Sequence, residues 1–485
     1  MKKERSLPWE ALLFFALYII LPEYFALELG QKLPLLTASR ILLVTMFVGL
    51  VVRRKELFFG KGFSLKKLNL LLTENKLLRW GLCVYFALLV LVNATFLLET
   101  TEAIKQLFVT ASEEFLLVWM LSLILDSRAR INGALKLMAL ASGAMGIVAI
   151  LGCILDVHPF YYLKTVTRSM PMYNSYRLGL LRAQTGFAHP VYYGAYCAVM
   201  LPLCMYLQEY VATNRKQRLL YAGCIVLTLV GLVLSNSRGS LLAFGVLAVA
   251  LFVLYWCKKQ LWPLFKNYLP SIILAGLVLL LVTGLTVGTA YLNGVGQSLV
   301  NVVPKPTSPI SATEPVTDPT DSTLTPDATD PTDATEPDTG LDYGENVNGL
   351  GSRLDQLTGI RYTLERRPLF GFGANAHARG LIGYMYYPGR WSFVKTVDMN
   401  IVAIISQYGL VGMVAFLSLF GSLGITLVKK KYWAQPLTRY LGLAFICYML
   451  CLLSISALDK WFWVLAGLIL AAVNCMDREE RECAR

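Results

Sequence analysis

The sequence has 485 residues, of which 56% are hydrophobic and only 15% are charged, and its mean hydropathy is +0.56. This composition excludes an ordinary soluble globular domain. Apolar runs long enough to cross about 30 Å of hydrocarbon as helices recur along the chain. We therefore predict an all-α, polytopic membrane protein built as a helical bundle, with a net charge of +13 whose placement should report its orientation.

The apolar runs predict about twelve transmembrane helices. The first follows a basic start, but no small-residue cleavage site precedes Pro22 and Glu23, so we expect a retained helix and not a cleaved signal peptide. The predicted helices span about 9–29, 35–52, 80–98, 103–125, 135–155, 189–207, 219–235, 239–256, 269–290, 399–428, 438–457 and 460–475.

The lysines and arginines divide unequally between the two sides of this bundle. Assigning all 44 of them to connections places 27 on the side of the N-terminus and 17 on the other. The positive-inside rule makes the richer side cytoplasmic. We expect a multi-pass protein of the bacterial cytoplasmic (plasma or inner) membrane, with both termini in the cytoplasm.

The chain divides into nine helices over 1–290, a large outer loop over 291–398, and three further helices with a cytoplasmic tail over 399–485. Within the loop, 304–342 has eight prolines and nine acids against one lysine, so we expect a disordered spacer. The rest of the loop, 349–398, is rich in arginine and should be ordered. Cations clustered on the outer side are unusual and suggest an anionic ligand there.

Three arginines on the outer face each lie next to a glycine or a turn: Arg182, Arg238 and Arg353. One such arginine alone would be read as an interface residue whose guanidinium reaches the lipid headgroups. Three together suggest a phosphate site, because guanidinium groups pair bidentately with phosphate oxygens and stay charged at any relevant pH.

Four motifs, RAQTGFAHPVYYGAY, SNSRGSLL, RRPLFGFG and the GLVG that begins at Gly409, resemble the O-antigen ligase and polysaccharide polymerase family of integral membrane glycosyltransferases. The resemblance covers roughly 180–415 and implies a C-type glycosyltransferase architecture. Ligase members carry His, then Asn, Ser or Gln, then nine residues, Gly, two residues and Gly. Here Gly409 and Gly412 set that register, which puts Asp398 in place of the His and Met399 in place of the amide or Ser. The changed base favours a polymerase or a wall-glycan ligase.

The resemblance implies transfer of a glycan from undecaprenyl diphosphate, in the outer leaflet, to a hydroxyl of a glycan or lipid-linked acceptor. Arg182 and Arg238 would hold the diphosphate in place of a metal, and Asp398 would accept the proton. An aspartate is a weak base, with a reference pKa near 3.9, so Asp398 must be partly buried or must mainly orient the acceptor. The alternative role of Asp398 is purely structural, as the residue that caps the following helix.

Further substrate contacts are expected from outer-face cations and histidines: Arg353, His189, His377, Arg361 and Arg177. His377 is the alternative base. Membrane lipid is the expected surrounding partner, and no cofactor and no nucleic acid are expected. The competing function is a transporter or flippase for polysaccharide or lipid-linked sugar, but the sequence has no internal repeat and the predicted helix interiors are uncharged, which favours surface chemistry.

Overall fold

The protein is a helical bundle, as predicted. A computed structural model describes residues 6–28, 35–59, 72–166, 175–177, 179–257, 259, 261–302, 354–387, 390–393 and 397–483. The predicted spacer at 304–342 and Arg353 lie outside these ranges.

Fifteen α-helices and one short 3-10 helix, Pro159–Leu163, are described within these ranges. The α-helices are numbered in chain order. They are α1 Trp9–Leu17, α2 Ala38–Arg53, α3 Lys55–Phe59, α4 Lys76–Thr95, α5 Thr101–Ile124, α6 Arg128–Leu155, α7 Pro190–Val211, α8 Arg215–Leu234, α9 Arg238–Cys257, α10 Leu261–Val302, α11 Thr358–Arg366, α12 Asn400–Val428, α13 Lys430–Trp433, α14 Pro436–Cys451 and α15 Lys460–Cys483. Helix α5 contains a π-helical turn at Thr110–Phe115, and α7 ends in another at Leu207–Val211.

The strands are short and form three antiparallel pairs within the described residues. They are β1 Ala26–Leu27 with β2 Leu36–Thr37, β3 Tyr176–Arg177 with β4 Leu180–Leu181, and β5 Gly383–Tyr387 with β6 Arg390–Phe393.

Nine helices of the described chain are long and apolar enough to cross a membrane: α4 to α10, α12 and α15. The three other predicted spans contain shorter helices, α1 with 9 residues and α2 and α14 with 16 each, so the count of twelve is not confirmed. Helix α1 ends at Leu17 and not near 29, because the chain turns before Pro22. Helix α10 extends to Val302, beyond the predicted end at 290.

Helices α7 and α15 form the centre of the bundle. In their most apolar stretches 89% and 83% of the residues are buried, against 22% in α9 and 17% in α10. Helix α7 packs against both α8 and α14. Helices α9 and α10 therefore lie at the periphery, where their exposed leucines and valines face the membrane.

Most functional residues predicted from the sequence lie at one end of this bundle, hereafter the site end. Helices α6 and α8 finish there, and α7, α9, α12 and α15 begin there. Both ends of the described chain lie at the opposite end, where Glu10 pairs with Arg53 and Glu479 pairs with Arg128.

A small lobe, made of α11, the chain at 367–382 and the β5–β6 hairpin, covers the start of α12. Residues 368–373 run along the helix and form four backbone hydrogen bonds with 406–411, with N–O distances of 2.8 to 3.0 Å. Gly409 interrupts α12 at this crossing, with φ of +62°. Ion pairing of Arg367 with Glu99 and a hydrogen bond from Asn375 to Glu102 tie the lobe to the turn between α4 and α5.

Candidate active site

Arg182 is buried beneath the site end, in the segment that leads into α7. Its Nε donates to the Ser235 carbonyl at 3.1 Å and its Nη1 to Ser175 Oγ at 3.3 Å. Its backbone N–H also bonds the Ser175 carbonyl at 2.8 Å. These bonds fix the plane of the guanidinium, which is the condition for bidentate recognition of an oxyanion.

Arg177 locks the turn between α8 and α9. Its Nη1 donates to the Asn236 carbonyl at 2.8 Å, and Asn236 Nδ2 donates back to the Arg177 carbonyl at 3.3 Å. Asn236 sits at φ of +48°, a conformation that asparagine tolerates better than most residues. The turn thereby presents Arg238 as the first residue of α9.

The Arg238 side chain is exposed and forms no hydrogen bond or ion pair with any residue that the structure describes. It differs in this from Arg177 and Arg182, whose guanidinium groups are held by backbone carbonyls. We call Arg177, Arg182 and Arg238 the arginine cluster. Two of its members are fixed by the protein and the third is available to a ligand.

His189 joins the arginine cluster as the residue that caps α7. Its Nδ1 accepts the Val191 N–H at 3.2 Å, so in the neutral ring the proton is on Nε2. Burial, and then the charges of Arg182 and Arg177, lower the pKa of His189 to about 4. The imidazole is therefore neutral near pH 7 and offers an Nε2–H donor to an anion.

Asp398 lies two residues before α12 and is half-buried. Its backbone N–H donates to Gln356 Oε1 of the lobe at 2.9 Å. The residue directly before the helix is Met399, whose side chain makes no capping hydrogen bond. Asp398 therefore does not occupy the N-cap position of α12.

The turn between α14 and α15 connects Asp398 to the arginine cluster. Asn400 bonds the carbonyls of Leu452 and Ser456 at 3.2 and 3.1 Å. Gly239, next to Arg238, packs so closely on Ser454 of the same turn that a Cβ on it would overlap the serine hydroxyl. The same short turn thus contacts both the α9 start and the α12 start.

Tyr192, which lies on α7 three residues after His189, relates Asp398 to the arginine cluster. Its hydroxyl lies close to Ser456 and within electrostatic reach of Asp459, Glu23 and Asp398. The base predicted from the sequence and the arginine cluster therefore surround the same end of α7.

His377 lies in the lobe and is held by α12. Gln407 Oε1 accepts the Asn375 N–H at 3.1 Å, so its Nε2 donates to His377 Nδ1 at 3.2 Å. Burial lowers the pKa of His377, so it too is a neutral ring with its proton on Nε2. Accepting a proton at Nε2 would require the ring first to give up its present tautomer, which disfavours His377 as the base.

The arginine-rich segment is less available than its sequence suggests. Arg361 pairs with Glu365 at 2.7 Å on the exposed face of α11. Arg366 stacks on Tyr362 at 3.9 Å, and Arg379 donates to the Phe372 carbonyl at 2.6 Å. Several of these cations, together with Arg367, hold the lobe in shape.

Sequence reasoning missed Asp459, the residue before α15. Its Oδ1 accepts the Phe462 N–H at 3.2 Å as a helix cap, while Oδ2 is buried without a partner among the described residues. Burial raises the pKa of Asp459 to about 7. The available signal was an acid directly before a long apolar helix. Glu23, Tyr192 and Gln407 carried no motif that marked them.

Residues 223–417 match the family model described as O-antigen ligase. The chain carries an O-antigen ligase domain. This confirms the predicted family, and the matched range includes Arg238, His377 and Asp398. The match supports ligase-type or polymerase-type glycosyltransferase activity in general, in a multi-pass protein of a bacterial membrane that acts on lipid-linked glycans.

No curated protein matches the chain. Among the described residues, no group of three or more histidines, cysteines or acids is arranged to hold a metal ion.

Proposed function

We propose that this O-antigen ligase domain protein transfers a glycan from undecaprenyl diphosphate to a sugar hydroxyl at the outer face of the membrane, as a polysaccharide polymerase or a related ligase. The observation that carries the proposal is the arrangement around the start of α7: an arginine cluster beside His189, and Asp398 reached through Tyr192 and the α14–α15 turn. Fixed cations and a carboxylate on one rim are what a diphosphate leaving group and a hydroxyl nucleophile require.

In the proposed reaction the acceptor oxygen attacks the anomeric carbon of the donor sugar. A new glycosidic bond forms, the bond from that carbon to the diphosphate oxygen breaks, and the hydroxyl proton passes to the Asp398 carboxylate. The electron pair leaves with undecaprenyl diphosphate, whose charge grows as the bond breaks. Arg182, already oriented by Ser235 and Ser175, and the exposed Arg238 would stabilise that charge without a metal.

His189 and Arg177 would take supporting roles at the diphosphate. Because the Nδ1 of His189 already accepts a backbone N–H, its Nε2–H can donate to a phosphate oxygen without any change of protonation. Arg177 would act mainly by holding the turn that carries Arg238. Arg353, His377 and Arg361 remain proposed contacts to the glycan, whose sugars offer uncharged hydroxyl groups as hydrogen-bond partners.

The location of the reaction is likewise a proposal. The division of 27 lysines and arginines against 17 supports an orientation with the site end outside the cell and both termini in the cytoplasm. A donor in the outer leaflet would then present its diphosphate at the level of the arginine cluster.

A matched pair of arginines tests the diphosphate role. Arg238 opens α9 and Arg215 opens α8 at the opposite end, and both are exposed. With purified protein and an undecaprenyl-diphosphate glycan, Arg238→Lys should lower turnover by about 10²-fold, because an ammonium keeps the charge but loses the fork. Arg215→Lys should leave turnover unchanged. Near-normal turnover in Arg238→Lys would make Arg238 an interface residue.

The competing flippase function predicts a different intermediate. Cells with an inactive polymerase should accumulate single lipid-linked repeat units in the outer leaflet, whereas cells with an inactive flippase should accumulate them in the inner leaflet. Accumulation in the inner leaflet on loss of Arg238 would overturn the transferase proposal.

A further inference from the structure

A polar cavity of about 200 Å³ lies at the end of the bundle opposite the arginine cluster. Arg53 and Arg54 line it from the end of α2, and Asp126 and Arg130 line it from the start of α6. Its remaining wall is apolar and includes Leu50 and Ile124. The cavity lies at the helix ends, where the headgroups of the adjoining leaflet would be found.

The charges around this cavity are not balanced. Arg53 pairs with the fully buried Glu10, while Arg54 and Arg130 share a single oxygen, Asp126 Oδ2, at 3.3 and 3.0 Å. Three guanidinium groups thus face two carboxylates, and the like charges of Arg130, Arg53 and Arg478 all act on Arg54. An anion placed in the cavity would relieve this repulsion.

Four polar atoms of the side chains around the cavity are buried and have no partner among the described residues. They are Arg130 Nε and Ser127 Oγ, which can donate, and Asp126 Oδ1 and Glu10 Oε2, which can only accept. Leaving such groups unsatisfied is costly, so each is a reason to expect a ligand atom.

The start of α6 adds donors of its own. Ser127 precedes this 28-residue helix, but its side chain makes no capping hydrogen bond. The first-turn N–H groups of a helix have no partner within the helix and favour negative charge. The arginines and the free helix amides favour a ligand that has anionic oxygens. The unpaired acceptor Asp126 Oδ1 favours a ligand that also has a hydroxyl donor.

We infer that this cavity binds a phosphate ester that carries a neighbouring hydroxyl group. The phosphate oxygens would accept from Arg54, Arg130 and the first turn of α6, and the hydroxyl would donate to Asp126 Oδ1. The same chemistry is offered by the headgroup of an anionic phospholipid and by a soluble phosphate ester. This site is separate from the proposed transferase site, which lies at the other end of the helices.

Thermal unfolding of the full-length protein in detergent tests the inference, since a ligand that binds only the folded state raises the Tm. One arm titrates glycerol 3-phosphate against sodium chloride at matched ionic strength. The other compares mixed micelles containing phosphatidylglycerol with micelles containing phosphatidylcholine. A Tm rise with glycerol 3-phosphate identifies a soluble ligand, and a rise confined to phosphatidylglycerol identifies a lipid headgroup.

Three variants assign the effect to the cavity. Arg130→Gln should abolish the shift, whereas Asp126→Asn removes a competing negative charge and should tighten apparent binding by about fivefold. Arg218→Gln, an exposed arginine of α8 at the same end, should behave as wild type. Asp126→Asn keeps the test decisive if Arg130→Gln fails to fold, because a merely damaged site does not bind more tightly. The absence of a shift in both arms, weaker binding in Asp126→Asn, or an equal loss in Arg218→Gln would overturn the inference.

Discussion

His189, beside the arginine cluster, and His377, in the lobe, share one tautomer for different reasons. The Nδ1 of His189 accepts the Val191 N–H at the start of α7, and the Nδ1 of His377 accepts a hydrogen bond from Gln407 Nε2. Both rings are kept neutral, since burial lowers the pKa of each. They are suited to donate and not to accept, which is why we propose Asp398 and not a histidine as the proton acceptor.

Replacing Asp398 by Asn tests this assignment directly. Asp398→Asn keeps the shape of the side chain but removes the proton acceptor, so turnover should fall by about 10²-fold or more while membrane insertion stays normal. Asp355→Asn, an acid of the lobe outside the proposed machinery, should leave turnover unchanged. The readout is transfer to acceptor by purified protein. A silent Asp398→Asn with an inactive His377→Ala would move the base to the lobe.

Asp459 predicts a pH dependence of stability. Its folded pKa of about 7 lies above the ordinary 3.8, mainly through burial and in part through Glu23, while Lys460 and the α15 amides oppose the shift. The folded state therefore holds the extra proton between these values, and stability falls as the pH rises through that window. The full shift would correspond to at most roughly 4 kcal/mol, and to less here because the residue is partly exposed.

Asp459→Asn should remove this dependence, because Asn caps a helix about as well as Asp and carries no charge to bury. Its Tm advantage over wild type should grow from pH 5 to about pH 7 and level off above that value. Asp156→Asn, which alters an exposed acid at the same end, is the control for the loss of one carboxylate from the surface. An advantage of Asp459→Asn that is the same at pH 5 and pH 8 would contradict a buried charge.

At the scale of elements, the lobe and α12 meet through two glycines. A Cβ on Gly371 would lie 2.7 Å from the backbone of Gln407 and Gly409, and a Cβ on Gly409 would lie 2.7 Å from Gly371 N. Both residues also have positive φ, +64° and +62°. The close approach is what allows the four backbone hydrogen bonds between 368–373 and 406–411 to form.

Alanine substitution separates crowding from backbone strain at this crossing. Gly371→Ala should cost more than about 2 kcal/mol, since the left-handed conformation and the backbone overlap both oppose it. Gly380→Ala is the matched control, with φ of +66° and nothing within 4 Å of its Cβ, and should cost only about 1 kcal/mol. Unfolding of the purified variants measures the difference, and equal costs would show that the crossing yields easily.

At the scale of the whole molecule, the apolar runs predicted the helical class and the approximate position of most helices, because burial in lipid demands long apolar stretches. They did not predict which helices lie at the centre. Helix α9 is more apolar than either central helix, α7 or α15, yet it faces outward. High hydropathy marks a helix that can cross the membrane and does not by itself place it at the centre of the bundle. Helices α1, α2 and α14 are apolar but short, so composition alone overstated their length.

The site was predictable where a local motif marked it. Arg182, His189 and Arg238 stand beside turns or a proline, and their proximity follows from those turns. Asp459, Tyr192 and Gln407 join the region through contacts between elements far apart in sequence, which no local pattern encodes. For the arginine-rich segment, the sequence overstated the number of cations available to a ligand. Ion pairs and stacking within the protein engage several of them.

The acidic segment at 304–342 is predicted to be dispensable. Its composition offers no core, and its nine acids would repel an anionic donor. Replacing it with a short Gly/Ser linker should leave turnover within about a few fold of wild type, measured with the same purified transfer assay. A replacement that inserts normally but is inactive would show that the segment contributes to the reaction.

The packing of α4 against α12 has a consequence for biosynthesis. Gly81 of α4 lies against Ser422 of α12, so the buried face of one helix is completed by the other. Some 300 residues separate Thr95 from Asn400. At about 5–20 residues per second, α4 emerges from the ribosome roughly 15 to 60 s before its partner. Throughout that interval the face bearing Tyr85 and Asn93 must be sheltered by lipid or by the insertion machinery, which makes the nascent chain most vulnerable to quality-control proteases before α12 is made.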